Sequence, residues 1–192
     1  MPRVGASPRA LHVARSQPLT RALQLDGFVI GLELCPFARS ARRGTRVVVC
    51  RAATADAALA ALWPEVCRLE AAPLDAPATT LFALPEAHAS DWDAFMALHE
   101  RAEQASSSQA VQLVPFHPDA AYSDAERDAA EFATRSPVPI IHLLRWADVR
   151  RAEAEWEGGD IVSENADRLR GQGAGALAGL LASFRRMMDA AQ

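Results

Sequence analysis

Thr134-Arg135-Ser136-Pro137-Val138-Pro139-Ile140-Ile141-His142-Leu143-Leu144-Arg145 joins two prolines, two arginines, a serine and a histidine to an apolar run. Val138 to Leu144 reads as a strand, short and flanked by breakers, and its apolar content predicts burial. Side chains alternate along a strand, so Val138, Ile140, His142 and Leu144 share one face and Arg145 takes the other, unless the strand ends first; a helix from Leu143 onward would turn His142 and Arg145 the same way. Polar chemistry on a rigid apolar support is what a binding or catalytic site requires.

Upstream, Arg46 to Cys50 is β-branched and short, and Thr79 to Leu84 and Ala110 to Val114 also have strand character. Helical patterns separate them. Thr54 caps a stretch in which Leu59, Leu62, Val66 and Leu69 recur at three-and-four spacing, with Pro64 predicted to kink or split it. Ser90, followed by Asp91 and Asp93, starts a second helix. Ser123 with Glu126 forms a capping box for a helix reaching towards Thr134. Helices are also expected from Leu19 to about Leu34 (with a strand over Phe28–Leu34 as the alternative), over Ala147–Trp156, near Val162–Arg170 and over Ala174–Met188. Strands alternating with helices predict a single α/β domain over residues 18–192, with a small four-stranded, partly parallel sheet and packed helices. Residues 1–17 contain two prolines and no periodicity and read as a mobile arm.

The whole chain narrows the function. Its 192 residues bury about two thirds of the unfolded surface. A formal charge of −4 argues against a nucleic-acid partner, which calls for a basic face. No apolar run reaches the roughly 20 residues of a membrane span. All 20 basic side chains are arginine, so Schiff-base chemistry, pyridoxal phosphate attachment and a phosphate-loop lysine are excluded. Anion recognition by guanidinium stays open, although genomic base composition also accounts for an all-arginine chain. Three cysteines without paired spacing, Cys35, Cys50 and Cys67, suggest a reducing, cytoplasmic compartment.

Three places offer chemistry. Cys35 precedes Pro36, a residue suited to a first helical position, which would make Cys35 the cap and aim its sulfur at free backbone N–H groups. A thiol so placed, near Arg39, Arg42 and Arg43, has a lowered pKa and suits a nucleophile; otherwise it is a small buried thiol. His117, between Phe116 and Pro118, is an acid–base candidate or a loop tie. In the quoted segment, Arg135, Ser136 and Arg145 are candidate anion contacts, and His142 is a second acid–base group or a satisfied core histidine. Cys35, His117 and His142 also meet the ligand count of a catalytic zinc site, without its short paired spacings. Three functional readings follow: an enzyme acting on a small anionic metabolite, a metal site, or a non-catalytic binding module.

Gly31-Leu32-Glu33-Leu34-Cys35-Pro36-Phe37-Ala38, Phe116-His117-Pro118 and Arg135-Ser136-Pro137-Val138-Pro139-Ile140-Ile141-His142-Leu143-Leu144-Arg145 together resemble domain of unknown function family 1415. This is a set of bacterial proteins of about this length, and the resemblance covers roughly residues 18–172. The Thr79-Thr80-Leu81 strand and Glu164-Asn165 also fit. The chain departs from the pattern at Glu33 and Thr134, each standing where asparagine is expected, and around Ala120-Ala121. The resemblance implies no established activity.

Overall fold

The computed structural model describes residues 21–85, 89–121 and 128–190, with side chains described from Leu25 onward. The predicted arm over residues 1–17 and the capping box at Ser123 and Glu126 lie outside them.

Four strands form one sheet: β1 (Thr45–Val49), β2 (Thr79–Ala83), β3 (Val111–Phe116) and β4 (Ile140–Arg145). Their order across the sheet is β1-β2-β4-β3. β1 runs parallel to β2, whereas β4 is antiparallel to both β2 and β3. The first three strands therefore point one way, and the last is inserted between the second and third. The α/β class and the partly parallel sheet of the sequence reading hold.

Helices cover both faces. α1 (Arg21–Ile30), wound as a π-helix, and α2 (Ala38–Ala41) precede β1; α3 (Ala55–Ala71) links β1 to β2, and α4 (Trp92–Ala105) links β2 to β3. A 3-10 helix over Ala129–Thr134 leads into β4, and α5 (Trp146–Glu155), α6 (Ile161–Gln172) and α7 (Ala174–Ala190) follow. Thr54 and Asp91 cap α3 and α4 by accepting from Ala57 N and Ala94 N. Both caps satisfy a backbone donor that the first turn leaves free.

Alternation along the strands sorts the core into two halves. Val48, Phe82, Leu113, Ile141 and Leu143 pack with Leu62, Val66, Leu69, Phe95 and Leu98 of α3 and α4. On the other face Val47, Leu81 and Ile140 meet Phe28 and Leu34, together with Leu169, Leu177 and Phe184 from α6 and α7. Each fully buried leucine or phenylalanine contributes about 1.5–3 kcal/mol.

Three local expectations change. Pro64 neither splits nor ends α3, which is one helix from Ala55 to Ala71. The first helix stops at Ile30 rather than near Leu34, because the chain turns back there: Leu34 N donates to Val29 O at 2.9 Å. Glu33 makes that turn in the left-handed region, at φ 54. The helix after Cys35 begins at Ala38 with Phe37 as its cap, so Pro36 occupies a turn instead of a first helical position. At Gly44 a Cβ would run into the Pro77 carbonyl, so this close approach of two chain segments requires glycine.

Candidate functional site

The α1–α2 turn, one face of β2, β4 and β3, and α5 enclose a chamber of about 420 Å³. Phe28, Val29, Leu81, Phe116, Ile140, Leu144 and Val149 give it an apolar wall. Cys35, Arg135 and His142 also line it, so the fold gathers three of the sequence candidates from distant parts of the chain. Its size falls in the range of small-molecule sites.

Cys35 is half-buried. The backbone N–H groups of Phe37 and Ala38 favour its thiolate form, although Phe37 and not Cys35 caps α2. Burial outweighs them and pushes the thiol above its ordinary value. The resting group is therefore a neutral thiol, contrary to the lowered pKa expected from a helix start.

His142 stands on β4 opposite Leu81. Thr79 donates its hydroxyl proton to Leu143 O at 2.6 Å, and His142 Nε2 lies 2.7 Å from the Thr79 hydroxyl oxygen. With its proton committed, that oxygen accepts from Nε2–H, which leaves Nδ1 as the unprotonated nitrogen. Burial lowers the His142 pKa to about 4, so the ring is neutral at physiological pH.

Arg135 is partly committed already. Its Nε donates to Ala120 O at 3.2 Å, and one terminal nitrogen lies 3.4 Å from Glu131. The guanidinium stacks 4.5 Å above the Phe132 ring, a cation–π contact that fixes its plane.

The other three candidates lie away from the chamber wall. His117 is fully buried, with Nε2 3.1 Å from Ala89 O and Nδ1 accepting from Asp119 N at 3.0 Å. Its ring sits 5.2 Å from Phe95 and 5.6 Å from Trp92, and burial lowers its pKa. It ties a loop to the α4 side of the sheet. Ser136 is buried and donates to Val138 O at 2.6 Å. Arg145, on the strand face opposite His142, spends its guanidinium on Asp148 and on the carbonyls of Ala72, Pro73 and Ala76. Ser136 has spent its one donor and Arg145 four of its five N–H donors on internal acceptors, and neither side chain lines the chamber.

Among the described residues, no group of three or more histidine, cysteine and acidic side chains is placed to hold a metal ion. His117, on the far side of the sheet, does not join Cys35 and His142 around one centre.

A smaller cavity of about 260 Å³ adjoins the chamber and shares Cys35, Ile161 and Asn165 with it. Asn165 Nδ2 holds Leu34 O at 2.6 Å, and Arg168 holds Glu33 O at 2.7 Å. These two residues of α6 position the turn that carries Cys35. Sequence reasoning missed both roles, and also Thr79. Three apart on α6, Asn165 and Arg168 share a face, a pattern that solvated helix surfaces display equally well.

No helix among the described residues is long and apolar enough to cross a membrane. No curated protein and no solved structure matches the chain. A family model described as "Protein of unknown function (DUF1415)" matches residues 17–178. The motifs around Cys35, His117 and Arg135–Arg145 all fall inside that span, and the chain belongs to this family.

Proposed function

We propose that the protein binds a small, mainly apolar molecule in the chamber between the sheet, the α1–α2 turn and α5. The observation that carries this reading is a 420 Å³ cavity whose walls are mainly apolar and whose polar lining includes Cys35, Arg135 and His142. Each polar group offers a distinct contact: a weak S–H donor, an imidazole Nδ1 acceptor, and the remaining edge of a guanidinium. We place the protein in the cytoplasm, where Cys35, Cys50 and Cys67 would remain free thiols.

Binding without chemistry accords with the charge states. A catalytic thiolate–imidazolium pair needs an acidic thiol and a basic ring. Burial works against both partners here, raising Cys35 and lowering His142. The enzyme reading with Cys35 as nucleophile therefore requires a bound substrate to reverse two pKa shifts.

Titration with 8-anilinonaphthalene-1-sulfonate, followed by its fluorescence, tests the proposal. One saturable site is expected, lost in both Val149→Trp and Leu144→Trp, which fill the chamber from different walls. Unchanged dye affinity in either folded variant overturns it. Turnover of a thioester or ester that disappears in Cys35→Ser would replace binding with catalysis.

A further inference from the structure

The mouth beside the chamber has an unusual charge inventory. Arg39, Arg168, Glu33 and Glu164 all line the smaller cavity, two cations facing two anions. Among the described residues none of the four forms an ion pair within 4 Å: Arg168 donates only to the carbonyl of Glu33 and the amide oxygen of Asn165. Arg135 inside the chamber differs, because Glu131 already faces it at 3.4 Å. Trp156 forms another wall of the mouth. Its Nε1–H donates to Gly159 O at 2.9 Å, and Phe37 packs edge-on at 6.0 Å, so the indole is held in place.

Building on the apolar-ligand reading above, we propose that the ligand is an amphiphile with a zwitterionic head. Its head occupies the mouth between Arg39, Arg168, Glu33, Glu164 and Trp156, and its hydrocarbon body enters the chamber past Cys35. An anionic centre pairs with the guanidinium groups, whose fork suits a carboxylate or phosphate. A cationic centre meets the two glutamates beside the fixed Trp156 indole. A purely anionic head would leave two carboxylates opposing it, and a purely cationic head would leave two guanidinium groups. Cys35, Ile161 and Asn165 border both cavities, so one molecule can occupy both.

The test compares three probes with one tail: 2-aminodecanoic acid, decanoic acid and decylamine. Affinity is read by displacement of 8-anilinonaphthalene-1-sulfonate and checked by calorimetry. The zwitterion is expected to bind about tenfold more tightly than either singly charged probe, a modest return for two partly solvated charge contacts. Arg39 and Glu164 are exposed, so their variants should fold. Arg39→Gln should reduce 2-aminodecanoate to the level of decylamine, and Glu164→Gln should reduce it to the level of decanoate. Decanoate binding as tightly as the zwitterion, or either variant leaving zwitterion affinity unchanged, overturns the head-group assignment. Those results would leave the chamber itself standing. Failure of all three probes in the wild-type protein, with Val149→Trp indifferent to the dye, removes the chamber reading as well.

Discussion

Glu33 is the one non-glycine residue with positive φ among the described residues, and its backbone closes the turn that presents Cys35. A glutamate in that region is strained, whereas asparagine tolerates it through its short polar side chain. Asparagine is also the residue that the family resemblance led us to expect there. Glu33→Asn should therefore raise stability by about 0.5–1 kcal/mol, seen as a higher urea midpoint with an unchanged slope. An unchanged or lower midpoint would show that the turn carries no strain. Cys35 supports a second measurement at this scale. In a Cys67→Ser background, which removes the exposed thiol, iodoacetamide should modify Cys35 slowly near neutrality. Its rate should rise with a midpoint above the free-thiol value of about 8.5. A midpoint below that value would restore the activated nucleophile.

At the scale of elements, the strands were legible because β-branched and apolar runs have few other uses. β1, β2 and β4 lie within two residues of their sequence-derived positions, and β3 extends two residues further, through Pro115 to Phe116. The insertion of β4 between β2 and β3 was not legible. Strand order follows from long-range pairing such as Leu81 with His142, and no local pattern encodes it. The candidate site divides along the same line. Alternation placed His142 and Arg145 on opposite faces, but only the fold shows that the His142 face opens on a chamber and the Arg145 face on the α3–β2 loop. His117 and His142 both stand in or beside a strand, and nothing in their neighbours distinguishes a loop tie from a chamber wall. The Arg145 contacts lead to a prediction. Its guanidinium, about 3% exposed, joins the start of α5 to three carbonyls beyond α3. Lysine reproduces the charge and not the fork. Arg145→Lys should lower stability by about 1–3 kcal/mol in urea unfolding, since one ammonium cannot bond Asp148 and all three carbonyls at once. It should leave the midpoint of Cys35 alkylation in place, because the two groups lie on opposite faces of the sheet. A stability loss below about 0.5 kcal/mol would contradict the clamp.

For the whole molecule, His117 and His142, whose pKa values burial lowers, make stability depend on pH in a definite direction. His142 titrates at about 4 in the folded protein against 6.5 when unfolded, and burial moves His117 the same way. Between these values the unfolded chain binds a proton that the folded chain refuses. Unfolding free energy therefore rises with pH across that window. Above pH 6.5 neither state is protonated and the dependence vanishes; below about pH 4 both are, and the His142 contribution is flat. The full window for His142 corresponds to at most about 3 kcal/mol, reduced to the extent that water reaches the ring through the chamber. Acid thus presses on both halves of the core, through His142 on the chamber face and His117 on the α4 face. Urea unfolding at intervals from pH 7.5 to 4.5 should show stability falling throughout the lower part of this range. His142→Asn should flatten part of the slope and His117→Asn a separate part, additively, because the rings lie on opposite sides of the sheet and share no partner. A ligand seated against His142 should steepen the acid loss of the complex, since protonating the ring would remove the Nδ1 acceptor that the ligand uses. Identical pH profiles for the wild-type protein and His142→Asn would mean that the ring is solvated in the folded state, and the chamber would then be no barrier to water.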